Sequence, residues 1–168
     1  MKLRKLNYVL FSVLVIVIAA LFYQVSFTGN LTGITGKLLS AEDYVNTYVR
    51  VDENNRLFLV SGCKALVMSI SQDQALSINT GLYNVSGPRP LTHDLMKDAF
   101  DLFGMEVLMA RVEKTENGTY YARLFLQQGN KILNLDSRPS DAVAIAVRYK
   151  KPVLVRKDLF EKEGQTIC

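Results

Sequence analysis

Two short polar runs hold most of the side chains that could move a proton or grip an anion: Arg89-Pro90-Leu91-Thr92-His93-Asp94 and Asp136-Ser137-Arg138-Pro139-Ser140-Asp141. Each sets Arg-Pro ahead of an aspartate at the expected mouth of a helix. His93 is the only histidine in the 168 residues. Imidazole titrates near neutrality unaided, so His93 is the candidate general base or metal ligand. Asp94, Asp136 and Asp141 are candidate catalytic carboxylates and oxygen ligands for Mg²⁺ or Mn²⁺, since hard cations take carboxylates. A metal held there would polarise a phosphodiester and activate water. Arg89 and Arg138 are candidate phosphate forks, with Ser140 beside them, and helix starts already favour anions.

The same residues admit a purely structural account. Thr92 reads as a helix N-cap, with Asp94 favouring the dipole of that helix. Asp136 or Ser137 caps the second helix, and Asp141 supports its dipole. The arginines would then pair with carboxylates in an internal network, or the paired helix starts would bind a small anion. There is no glycine-rich phosphate loop, no nucleophile elbow and no Cys–His pairing. Tyr120, Tyr121 and Phe125 fall on an expected strand, where core packing is the default and base stacking needs an exposed face.

The elements that must position these residues alternate in kind. β-formers from Tyr44 to Val51, Leu57 to Val60 and Ala65 to Ile70 predict three strands, with a turn over 52–55 and a break at Ser61-Gly62. Ser71 opens a helix to about Thr80, stopped by Gly81. A loop with Gly87, Pro88 and Pro90 leads to a helix from Thr92, ended by Gly104. Strands follow from Met105 to Lys114 and Thr119 to Leu126, joined at Asn117-Gly118, a pair that accepts positive φ in a tight turn. A third strand spans Lys131 to Leu135. Pro139 fits a helix start, Ala142 to Val147 is apolar throughout and therefore buried, Val153 to Val155 is a short strand, and a helix runs from Asp158 to Glu163. Strands in clusters with helices inserted give an α+β fold with a mainly antiparallel sheet.

Ahead of this domain, Lys2, Arg4 and Lys5 precede an uncharged stretch reaching to Lys37. Leu6 to Phe27 has the length and apolarity of a transmembrane helix. Bulky residues after Ala19-Ala20 argue for a retained signal anchor over a cleaved signal peptide. The basic cluster predicts a cytoplasmic 1–5, an anchor at 6–27, a Gly/Thr-rich linker at 28–38, and a domain at 39–168 outside the cytoplasm. The expected protein is thus single-pass, with the membrane as its first partner. Three of the 20 basic residues precede the span, leaving 17 against 16 acidic ones, so the domain's net charge does not announce a nucleic-acid binder. Arg148, Lys150, Lys151, Arg156 and Lys157 read as a solvated basic face. Cys63 reads as a small apolar strand residue, although Cys63 and Cys168 could pair outside the cytoplasm. Asn30, Asn84 and Asn117 open glycosylation sequons.

Arg89-Pro-Leu-Thr-His-Asp-Leu95, Gly118-Thr-Tyr-Tyr-Ala-Arg-Leu124 and Asp136-Ser-Arg-Pro-Ser-Asp-Ala-Val-Ala-Ile-Ala-Val-Arg148 together resemble the bifunctional nuclease domain family, over about Tyr44 to Phe160. The resemblance implies an α+β fold, cleavage of DNA and RNA, and a chain compatible with homo-oligomers. It carries over to Arg89, His93, Asp94, Asp136, Arg138, Ser140 and Asp141. One departure stands out: Gln74-Ala75 occupies the place of a usual Glu-Ala, which would weaken metal binding if that carboxylate were a ligand.

Overall fold

A computed structural model of the chain describes residues 13–19, 36, 38–85 and 87–168, in two units, Met1–Ser40 and Ala41–Cys168. In the first unit, residues 13–19 are helical. The rest of the anchor expected over 6–27 lies outside the described residues. No helix among the described residues is long and apolar enough to cross a membrane.

The second unit is α+β. Its elements are β1 (Tyr44–Val51), β2 (Arg56–Ser61), β3 (Lys64–Ser69), α1 (Gln72–Tyr83), α2 (Thr92–Leu102), β4 (Glu106–Glu116), β5 (Thr119–Gln128), β6 (Lys131–Ser137), α3 (Pro139–Arg148), β7 (Val153–Arg156), α4 (Lys157–Glu163) and β8 (Gln165–Thr166). The eight strands form one open sheet in the order β6-β5-β4-β7-β1-β2-β3-β8. Every neighbouring pair is antiparallel except β4 and β7. Asn117 and Gly118 both take positive φ at the β4–β5 turn, which matches the right-handed twist of the flanking strands.

One sheet face is covered by helices. Leu57, Leu59, Leu66, Val112, Leu124 and Val155 from the sheet pack with Ile78 of α1, Ala142–Ala146 of α3, and Leu159 and Phe160 of α4. The opposite face is partly self-covering: the buried Arg111 guanidinium lies 4.4 Å from the Tyr44 ring and 4.7 Å from that of Phe125. Phe125 is therefore buried, as the packing default requires, and offers no stacking surface.

Three expectations are corrected. Gly81 does not stop α1; it lies inside it, and the helix ends at Asn84 in the left-handed conformation. A Cβ at Gly81 would stand 2.9 Å from both Arg148 Nη1 and Val147 Cγ2, so this glycine lets α1 and α3 touch. Arg148 leaves the expected solvated face, its side chain being only 4 % exposed. Cys63 is not a strand residue but sits in the β2–β3 turn, disulfide-bonded to Cys168 with 5.2 Å between Cα atoms. The terminal tail makes this pairing: β8 adds to the edge of β3, and the Ile167 amide donates to the Cys63 carbonyl at 3.0 Å.

Gly81→Ala is expected to destabilise the domain by about 1–3 kcal/mol, because the added methyl overpacks a closed helix contact. Chemical denaturation should show a lowered midpoint with an unchanged slope; an unaltered midpoint would mean that α1 and α3 yield freely.

Candidate functional site

An open groove of about 930 Å³ runs between α1, α2, the end of β6 and the start of α3. Gln74 and Ser77 face it from α1, His93 and Met96 from α2, and Arg138 and Asp141 from the α3 start. The groove therefore collects residues from both polar runs and adds α1, which neither run foretold.

Helix starts explain the placement. Asp94 sits at the third position of α2, and its Oδ2 accepts the Leu91 amide at 2.8 Å. The cap residue is Leu91, not Thr92, because this carboxylate already satisfies the exposed amide. Pro139 opens α3 as expected, with Arg138 at the cap position. In α1, Ser71 Oγ and Gln74 Oε1 form a reciprocal capping box. Gln74, the departure from the family pattern, thus serves the helix start, which an amide does as well as a carboxylate.

Arg148 ties the site together. Its Nε donates to Asp94 Oδ1 at 2.8 Å, Nη1 to the carbonyls of Ser77 and Ala144 at 2.8 Å each, and Nη2 to Ser77 Oγ at 3.3 Å and Thr80 Oγ1 at 3.1 Å. One guanidinium thereby joins α1, α2 and α3. Tyr149, next in the chain, donates to the Lys97 carbonyl and to Asp101 Oδ1. These bonds matter because α2 has no fully buried residue. Burial acts to raise the Asp94 carboxyl, but the Leu91 amide and the Arg148 guanidinium outweigh it, and its pKa lies below the ordinary 3.8.

His93 meets a partner on each ring nitrogen. Ser77 Oγ lies 2.8 Å from Nδ1, and Asp141 Oδ1 lies 3.4 Å from Nε2. A proton on Nε2 satisfies both neighbours: it faces the carboxylate, and the Nδ1 lone pair accepts the Ser77 hydroxyl. Burial holds the His93 pKa below its ordinary 6.5, Asp141 opposes that shift, and the Arg148 charge adds to it. Asp141 is gripped by Arg138 through Nε–Oδ2 and Nη2–Oδ1 bonds of 2.6 and 3.0 Å. The result is a continuous chain, Arg148–Ser77–His93–Asp141–Arg138, of which all but the buried Arg148 line the groove.

The other expected site residues stand outside this chain of contacts, and only Asp136 among them lines the groove. Asp94 is committed to Arg148 and does not line the groove. Asp136 is on β6 at the rim, where Arg123 is its partner in register, 3.9 Å away. Cross-strand partners share a face, so this carboxylate points with Arg123, while Leu135 faces with the core residue Leu124. Asp136 therefore neither caps α3 nor joins Asp141. Among the described residues, no three His, Cys, Asp or Glu side chains converge to hold a metal ion. The trio Asp94, Asp136 and Asp141 is thus not assembled as a ligand set. Arg89 is exposed in the loop before α2, off the groove lining. Ser140 is buried in the first turn of α3 and is not among the residues that line the groove. Sequence reasoning missed Ser77 and Arg148; only the apolar run preceding Arg148, which demands a buried helix, hinted that its last turn would also be enclosed.

A family model described as the bifunctional nuclease domain matches residues 57–167. An uncharacterized protein of Mycobacterium tuberculosis (strain ATCC 25618 / H37Rv) is 35% identical over 107 residues, 64% of this chain and 63% of its own. Bifunctional nuclease 1 of Arabidopsis thaliana is 40% identical over 87 residues, 50% of this chain and 27% of its own. Bifunctional nuclease 1 of Oryza sativa subsp. japonica is 29% identical over 102 residues, 59% of this chain and 31% of its own. The chain spans less than two thirds of the length of each of these relatives.

Two outcomes follow from the geometry. In an NMR titration the single histidine should protonate with a midpoint below 6.5, and Asp141→Asn should move it lower still; a midpoint above 6.5 would contradict the buried placement. Asp94→Ala should cost about 1–3 kcal/mol by stripping Arg148 of its carboxylate, and should speed amide exchange in α2 before the rest of the domain. The sign with pH is fixed: the Asp94 contribution is complete above the unfolded carboxyl value and is lost as pH falls through the lower folded value. Acid sensitivity equal to that of the wild type in Asp94→Ala would remove this linkage.

Proposed function

The chain belongs to the bifunctional nuclease domain family, and on that premise we propose that its groove cleaves phosphodiester bonds in DNA and RNA. The observation that supports this most directly is His93, half-enclosed at the groove wall with Ser77 on one ring nitrogen and Asp141 on the other. Its low pKa leaves it neutral near pH 7 and able to accept a proton from an attacking group. Asp141 orients the ring and holds Arg138, whose guanidinium borders the groove as a phosphate fork. Asp94 acts at one remove, by fixing Arg148 and α2. No converging carboxylate set stands among the described residues, and dependence on Mg²⁺ or Mn²⁺ is decided by the assay below.

A second reading treats the groove as a binding site without turnover. The commitment of Asp94 and Arg148 to holding three helices favours it, since those residues then serve the fold and leave fewer groups for chemistry.

We further propose that residues 6–27 anchor the protein in a membrane with the domain outside the cytoplasm. The apolar length and the preceding basic cluster support this, and so does the Cys63–Cys168 bridge, because disulfides persist in oxidising compartments. The full chain should remain with membranes through a high-salt wash, whereas release by the wash would remove the anchor.

The deciding assay is cleavage of single-stranded RNA and DNA by the full chain, with and without Mg²⁺ or Mn²⁺. His93→Ala should lower the rate by about 100-fold or more. Equal rates in the variant would take His93 out of the reaction, and no cleavage under any condition would favour the binding reading.

A further inference from the structure

We propose that Ser77 is the nucleophile of this site, an inference that rests on the phosphodiesterase reading of the groove. A serine in the middle of a helix ordinarily turns its hydroxyl back to a carbonyl of the preceding turn. Thr80 does so, donating to the Ser77 carbonyl at 2.8 Å. Ser77 does not. Its hydroxyl reaches across to α2 and lies 2.8 Å from His93 Nδ1. His93 is in turn oriented through Nε2 by Asp141 at 3.4 Å, a long contact of the kind that tightens once substrate is bound. Hydroxyl, imidazole and carboxylate thus stand in the order an activated nucleophile requires, with both ring nitrogens assigned and the acceptor nitrogen facing the hydroxyl.

Two further contacts suit the role. Arg148 Nη2 lies 3.3 Å from Ser77 Oγ, so a guanidinium charge stands beside the oxygen that takes on negative charge as it departs in the second displacement. Ser77 is only 5 % exposed, and the surface it keeps lies in the groove lining beside His93.

The chemistry balances as two displacements. Ser77 Oγ attacks phosphorus as its proton passes to His93 Nδ1; the Oγ–P bond forms, the bond from phosphorus to the in-line leaving oxygen breaks, and that oxygen takes its proton from water, leaving hydroxide. Water then attacks the phosphodiester on Ser77, losing its proton to the hydroxide of the first step; the Oγ–P bond breaks and the imidazolium returns its proton to Ser77 Oγ. Arg138 holds the phosphoryl oxygens in both steps, and Asp141 keeps the ring aligned.

The test uses a phosphorus electrophile that needs no nucleic acid. Diisopropyl fluorophosphate is incubated with the full chain, and the modified residue is identified by peptide mass spectrometry. Attack by Ser77 displaces fluoride and leaves the diisopropylphosphoryl group on Oγ. The expected result is a single adduct on Ser77, slowed at least about 100-fold in His93→Ala. In parallel, Ser77→Ala should lose cleavage of single-stranded RNA and DNA, with its melting temperature recorded. Adduct on Ser77 in a protein that cleaves no nucleic acid would uphold the nucleophile and remove the nuclease reading. Cleavage at the wild-type rate by folded Ser77→Ala, or the absence of any adduct on Ser77, would overturn the proposal. If Ser77→Ala does not fold, labelling of the wild-type chain and of His93→Ala decides alone.

Discussion

Arg148 must find partners for a charge that the fold has enclosed, and the site is arranged around that requirement. A guanidinium with a nearly covered side chain is tolerable only when its donors are satisfied and a carboxylate stands near. It meets both conditions by drawing on α1, α2 and the preceding turn of α3 at once. α2 has little apolar burial with which to choose its position, so the polar contacts choose it. His93 then rides on α2 to the groove wall. Gly81 belongs to the same constraint: without a missing side chain there, α1 could not approach the last turn of α3 closely enough for Arg148 to reach Ser77.

The two aspartates that look alike in sequence are thereby given different work. Asp94 and Asp141 both sit in the first turn of a helix behind an Arg-Pro pair, yet one is turned inward to a buried guanidinium and the other outward to the groove. Helix geometry supplies the difference, because Asp94 must reach back to the Leu91 amide and is left with one oxygen for Arg148. Asp141 has both oxygens on Arg138 and keeps one of them within reach of His93. The result is one half committed to the buried Arg148 and one half that lines the groove, joined at the imidazole ring.

Much of the scaffold was legible because local rules governed it. Asn117-Gly118 fixed a hairpin, Pro139 a helix start, and the unbroken apolar run to Val147 a buried helix. Features that depend on distant chain segments were not legible. Gly81 has the composition of a stop signal, and only its neighbour across the helix contact makes it an interior residue. Arg148 follows the same pattern, since a basic residue beside Lys150 and Lys151 looks solvated until the opposing helices are in place. Asp136 reads as a helix cap only if the third strand ends at Leu135; the strand continues to Ser137 and pairs Asp136 with Arg123. Cys63 and Cys168 are separated by 105 positions, and no local rule connects them.

The tail that carries Cys168 shields the rim of the sheet. β8 is two residues long, too short to hold its place by ladder bonds alone, and the bridge keeps it against β3. Without the bridge, the backbone groups of Lys64 and Ala65 that β8 occupies are free to pair with another extended chain. Oxidation of this pair thus decides whether one end of the outermost long strand is occupied by the chain's own tail or left open to a foreign one.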